Sequence, residues 1–267
     1  IKLAFYNLAC NYYISASKDR VVVGLSGLAE NMPKAMELLE KVLADAQPDK
    51  EAYDGLVDDI LRARLNDKAD QQANFRRLQT YTFYGANNPS NNLLGEAELR
   101  SMAPEALLQR ISQLSTLEHR VMYYGPLGMD EVSSTVASLH KVPEDLSPVP
   151  ENDVFKLQTV KENVVYIAPY DANQIYMITY ASRGDKYDVQ KSPVLNMYNE
   201  YFGGGMNSIV FQEMREARGL AYSAYALAME PARLEEPYGY FSMIATQNDK
   251  MIDALTAFEE IINNMPL

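Results

Sequence analysis

Apolar residues recur with helical spacing in two stretches of this chain that mirror one another. Met32, Ala35, Met36, Leu39, Val42 and Leu43 form one set, and Met251, Ala254, Leu255, Phe258, Ile261 and Ile262 the other, at a constant offset of 219 (251 minus 32). Each set predicts an amphipathic helix with one apolar stripe. Upstream of each helix, residues that favour β-structure predict strand, turn and strand. These are "LACNYYISASKDRVVVGLSG" from Leu8 and "LAYSAYALAMEPARLEEPYGYFSMIATQ" from Leu220, with Leu8, Ala9 and Tyr13 matching Leu220, Ala221 and Tyr225 at an offset of 212 (220 minus 8). The offset grows by 7 because "EPARLEEPYG" is a longer connection than "SKDR". Any two amphipathic helices can share a stripe, but strand, turn, strand and helix repeated in one order argue for duplication. The expected unit is about as long as the offset, so the chain would hold the back of one copy and the front of the next, truncated at both ends.

The remaining pattern fits two such copies. Helices are predicted over 51–65 and 71–85, interrupted by four asparagines around Pro89, and over 104–114 with Pro104 in the first turn. "EHRVMYYG" (118–125) predicts a strand and "DEVSSTVASLH" (130–140) the helix after it. A proline-rich segment containing Pro143, Pro148 and Pro150 predicts a linker. The expected organisation is therefore a first domain at 1–142, a linker at 143–154 and a second domain at 155–267. The second opens with two predicted strands, "NVVYIAP" (163–169) and "NQIYMITYASRG" (173–184), then a helix, "VLNMYNEYFGGG" (194–205), stopped by glycine. Strands and helices in this order predict an α+β fold: two partial copies of a sandwich domain, each an antiparallel sheet covered by helices on one side.

Composition removes several function classes. At 267 residues, 47% apolar and 22% charged, the chain can bury two cores, and no apolar run approaches the roughly 20 residues of a membrane helix. A formal charge of -12 argues against binding nucleic acid. The single cysteine, Cys10, is expected to be a small buried apolar residue.

Familiar catalytic patterns are incomplete. Gly203, Gly204 and Gly205 lack the Lys-Ser/Thr of a phosphate loop, and Ser208 stands where a dinucleotide fingerprint needs glycine. A structural glycine turn, with Asn207 or Ser208 capping the next helix, is the expectation. "STLEH" (115–119) has serine where an H-x-x-E-H zinc motif has its first histidine, leaving His119 without a partner, and His140 beside the linker is expected to be exposed. "GLSG" (24–27) is not a nucleophile elbow. No catalytic residue and no metal ligand are expected in this chain. Arg215 and Tyr222 remain. Val210, Met214 and Ala217 give their helix a buried stripe that ends at Arg218-Gly219, so an arginine on the last turn and a tyrosine at the next strand's start can face one space. A guanidinium can grip a carbonyl or carboxylate, and a phenol can donate to developing negative charge. The bland reading is a surface arginine and a half-buried sheet tyrosine. At the 212 offset the first copy has Leu3 and Cys10 instead, which favours a functional over a purely structural pair.

"YFGGGMNSIVFQEMREARGLAYS" (201–223) closely resembles the signature at the front of the C-terminal domain of pitrilysin and insulin-degrading-enzyme (insulinase-like) zinc metallopeptidases. Weaker matches run through "GLAENMPKAMELLEKVLADAQPDKEAYDGL" and "EHRVMYYGPLGMDEV". The resemblance implies the metalloprotease-like LuxS/processing-peptidase fold, with four homologous domains in two halves that close on unfolded peptide. It implies zinc bound by H-x-x-E-H and a distant glutamate in the first domain. It also implies an arginine and tyrosine spaced R-x6-Y in the last half, matched here by Arg215 and Tyr222. Ile60, or two residues away Asp58, falls where the distant glutamate would lie, and the motif itself would precede Ile1. That places the chain in the third and fourth domains, with zinc in the parent protein and none here. The implied partners are the N-terminal peptidase half, in the same chain or another, and peptide substrates; the sequence leaves the compartment unknown, with the bacterial periplasm or cell envelope favoured over the cytoplasm. A catalytically inactive family member serving as scaffold or partner subunit is the alternative, and a generic peptide-binding module using a sheet edge is a third.

Overall fold

A computed structural model of the chain describes all residues except 18–19, 152–154, 160, 232 and 266–267. The omitted residues include part of the first copy's predicted turn and the end of the predicted linker.

The first copy begins with a short helix, α1 (Lys2–Asn7), then the antiparallel strands β1 (Cys10–Ala16) and β2 (Val21–Gly27), then helix α2 (Met32–Asp45). Phe5, Cys10, Ala35 and Leu39 are buried together. Cys10 thus serves as a small core residue, as its lone occurrence suggested. The second copy repeats this order with β4 (Ser223–Met229), β5 (Gly239–Gln247) and α10 (Met251–Asn263), whose elements between and before are described below. Even the single 3-10 turn before the helix recurs, at Ala29–Asn31 and Asn248–Lys250, at the 219 offset read from the apolar stripes. Ala35 and Leu39 on α2 correspond to Ala254 and Phe258 on α10, and all four are buried.

Between the copies run α3 (Lys50–Ala69), α4 (Gln71–Tyr84), α5 (Glu96–Ser101), α6 (Pro104–Leu114) and α7 (Met129–Leu139). The chain divides into two compact units, residues 1–63 with 94–154 and residues 64–93 with 155–267. The segment 64–93, which chain order assigns to the first copy, packs with the second. The reason is aromatic. On the three-stranded sheet β3 (Gln174–Ala181), β5, β4, one face carries Tyr176, Tyr180, Phe241 and Tyr225. Phe75 of α4 lies 5.3 Å from Tyr176, and Phe83 lies 4.7 Å from Tyr180 and 5.9 Å from Phe241, centroid to centroid. Such ring pairs add to the apolar area they bury. The sheet is thus covered on both faces, not one.

The opposite face carries Ala224, Ala226 and Ile244, packed under α8 (Ser192–Phe202), α9 (Ile209–Phe211) and α10 through Phe202, Val210, Met214, Ala254 and Phe258. Two predicted strands form no ladder. Residues 118–124 contribute none, and only Leu117 makes an isolated parallel bridge, with Ser147 of the predicted linker. Residues 163–169 likewise stay unpaired, with Val165 and Ile167 exposed. β-propensity expresses fit to a neighbouring pleated strand, and among the described residues neither stretch has one.

Candidate functional site

The glycine-rich turn is a packing device. A Cβ on Gly203 would stand 2.2 Å from the carbonyl oxygen and 2.5 Å from the nitrogen of Ala226, and one on Gly204 would stand 2.7 Å from the Asn199 oxygen. Only a residue without a side chain lets the end of α8 meet strand β4 this closely. The contact is fastened by Ala226 N–H donating to Gly203 O at 3.2 Å. A Cβ on Gly205 would meet only the Glu200 carboxylate, at an ordinary 3.9 Å. Of the two predicted caps, Ser208 serves: its hydroxyl, fully buried, accepts from Phe211 N–H at 3.4 Å.

From Ser208 the chain makes one α-helical turn and then widens into a π-helix, Gln212–Ala217, a feature the periodicity did not predict. The wider turn changes which residues face inward. Val210 and Met214 are fully buried, but Ala217, expected on the same stripe, is exposed. The turn closes through Arg218 N–H donating to Glu213 O at 3.2 Å, and Gly219 takes the predicted left-handed conformation at φ +56°. Such π-turns are frequent at functional sites because they redirect side chains without ending the helix.

Arg215 is the residue this redirects. Its guanidinium carbon lies 5.0 Å from the centroid of the Phe211 ring and 5.5 Å from that of Tyr222, within cation–π range of both. Arg215 and Tyr222 therefore share one space at the helix-to-strand corner. Tyr222 is anchored by its backbone, with N–H donating to Ala245 O at 2.9 Å, while its side chain is 74% exposed. The neighbouring Arg218 is committed elsewhere: it bonds Glu260 at 2.8 Å and lies 3.6 Å from Glu213, and the Glu260 hydrogen bond holds its pKa above the usual arginine value. Among the described residues, Arg215 has only Glu216, at 3.6 Å, as a close acid. At the corresponding places of the first copy Leu3 is exposed on α1 and Cys10 is buried.

The residues at the distant-glutamate position do not fit a catalytic zinc. Ile60 packs against Tyr53, Val57 and Leu99, and the Asp58 carboxylate accepts from Arg100 at 3.1 Å. Sequence reasoning missed a second cluster. His140, expected to be exposed, is largely covered, with its Nδ1 2.6 Å from Glu40 Oε1 and its Nε2 3.0 Å from His119 Nε2. Separations of 21 and 100 residues leave no local signal for it.

A twice-used strand, strand and helix unit, with small antiparallel sheets layered against helices, defines an α+β sandwich fold. Residues 123–265, more than half of the chain, match the family described as the peptidase M16 inactive domain, and the chain belongs to that insulinase-like family. Among solved structures it is similar to a peptidase M16 inactive domain from Pseudomonas fluorescens, at 15% identity and TM-score 0.72, covering 99% of this chain and 65% of that one. It is also similar to the periplasmic protease PqqL from Escherichia coli, at 13% identity and TM-score 0.70, covering 97% of this chain and 28% of that one. The ferredoxin protease FusC, solved with Arabidopsis ferredoxin, matches at 13% identity and TM-score 0.69, over 98% of this chain and 28% of that one. The chain therefore spans less than two thirds of the first structure and under a third of the other two. No curated protein sequence matches it.

Proposed function

We propose that this chain forms part of the C-terminal half of an M16 zinc metalloendopeptidase, enclosing unfolded peptide opposite a catalytic zinc site carried by another part of the protein. Arg215 grips a substrate carbonyl and Tyr222 donates its phenol to the oxyanion that develops as the peptide bond is attacked. The observation that carries this reading is the convergence of an arginine and an exposed tyrosine on one space, created by a π-turn, in a member of the M16 inactive-domain family. Charge-assisted and preorganised donors of this kind gain strength where bound substrate excludes water.

A periplasmic location is part of the proposal, supported by the likeness to a periplasmic protease. Cell fractionation tests that part.

The test of the site is Tyr222→Phe in the intact peptidase containing this segment. Loss of an oxyanion donor should lower kcat on the order of 10²-fold with KM nearly unchanged. Because the hydroxyl is exposed, folding stability should stay within about 0.5 kcal/mol. Unchanged turnover removes the proposed role.

A further inference from the structure

We infer that the first unit carries a two-histidine site for a divalent first-row transition metal ion, formed by His119 Nε2 and His140 Nε2. This inference does not depend on the role proposed for Arg215 and Tyr222.

Three elements build the site. His140 ends α7, where its N–H donates to Val136 O at 2.8 Å. His119 follows α6 and is fixed by the bridge between Leu117 and Ser147, in which Glu118 N–H donates to Ser147 O and Ser147 N–H to Thr116 O, both at 2.8 Å. Glu40 comes from α2. These are the chain's only two histidines, and they meet edge to face with ring centroids 5.0 Å apart.

The hydrogen-bond chemistry leaves both Nε2 atoms without hydrogens in the neutral rings. His119 Nδ1 lies 2.6 Å from the Leu117 carbonyl oxygen, which can only accept, so that nitrogen carries the hydrogen. His140 Nδ1 lies 2.6 Å from the Glu40 carboxylate, which fixes the same tautomer. Two lone pairs then confront each other at 3.0 Å. Neutral, such a pair repels; a proton on one Nε2 makes the contact an N–H···N hydrogen bond, and a metal ion held by both nitrogens is the other way to relieve it. An ion at the usual 2.0–2.1 Å from each nitrogen would see them about 91–97° apart, an angle suited to Cu²⁺ or Ni²⁺ and open to Zn²⁺ with slight relaxation. Orientation of a ligating imidazole by a carboxylate and a backbone carbonyl on its far nitrogen is the usual outer support of histidine metal sites. Among the described residues no third His, Cys, Asp or Glu completes a protein ligand set, so water or an exogenous ligand fills the other positions. His119 is exposed, which leaves them reachable.

The test is titration of the metal-stripped chain with Cu²⁺ or Zn²⁺ alone, in competition with a chromophoric chelator, with Mg²⁺ as a control. One ion should bind per chain, Cu²⁺ more tightly than Zn²⁺, and Mg²⁺ not at all. His119→Ala and His140→Ala should each weaken binding at least tenfold, and Glu40→Gln roughly 10- to 100-fold while both ligands remain. Circular dichroism of each variant separates loss of a ligand from loss of fold, and His140→Gln stands in if His140→Ala fails to fold. Nitrogen NMR of the apo chain should find both rings with hydrogen on Nδ1. Absence of saturable binding, or binding unchanged in the His119→Ala/His140→Ala double variant, overturns the inference.

Discussion

Replacing Gly203 by alanine tests whether the glycine run exists for packing. The added methyl would lie 2.2, 2.5 and 2.9 Å from the oxygen, nitrogen and carbonyl carbon of Ala226, all backbone atoms of a paired strand that cannot rotate aside. Relief requires α8 and β4 to separate, which strains the layer containing Phe202, Val210 and Ile244. Overpacking of this kind costs about 1–3 kcal/mol, and stretching the bond from Ala226 N–H to Gly203 O adds about 1 kcal/mol. The expected loss is about 2–4 kcal/mol. Gly205 is the internal control, since its Cβ would meet only the flexible Glu200 side chain at 3.9 Å and its φ is not left-handed. Alanine there should be neutral or stabilise by up to about 1 kcal/mol through the unfolded chain. The chain has no tryptophan but 19 tyrosines, so urea unfolding can be followed by tyrosine fluorescence and far-ultraviolet circular dichroism. Hydrogen exchange of the β4 amides then assigns the loss to the second unit. If the two variants agree within about 0.5 kcal/mol, the close approach is not why glycine stands at 203.

Two further outcomes follow from the same unit. Asn199 on α8 pairs its side-chain amide with strand β4, donating to Ala228 O at 2.9 Å and accepting from Ala228 N–H at 2.8 Å, so Asn199→Ala should cost about 1–3 kcal/mol by urea midpoint, and Asn199→Asp, which cannot donate, should not restore it. Burial pushes the phenol pKa values of Tyr198 and Tyr225 above the ordinary tyrosine value. The unfolded chain therefore releases these protons first as pH climbs past about 10, so their contribution is complete below that pH and lost above it, with a slope per phenol below about 1.4 kcal/mol per pH unit because both rings keep some solvent contact. Urea midpoints from pH 8 to 11 should stay level and then fall, and Tyr225→Phe should flatten the fall.

Features set by contiguous residues were legible from the chain. The stripe of α2 and α10, the strand pairs before them, the cap at Ser208 and the left-handed Gly219 all depend on spacing or on one residue's chemistry within a few positions. The family signature is equally local, which is why Arg215 and Tyr222 could be singled out. The π-turn was not, because Gln212–Ala217 has ordinary helical composition and its extra residue is accommodated by Leu220 and Ala221 N–H groups both returning to Met214 O.

By itself, then, the order of residues determined the repeated α+β unit and the pair at its corner, since periodicity and turn chemistry act over distances shorter than one element. Only the tertiary structure decided that α4 lies on the second sheet, that 118–124 and 163–169 go unpaired, and that Glu40, His119 and His140 meet. Each of these depends on which surfaces and chain-distant groups come together in space, and local periodicity carries no term for that.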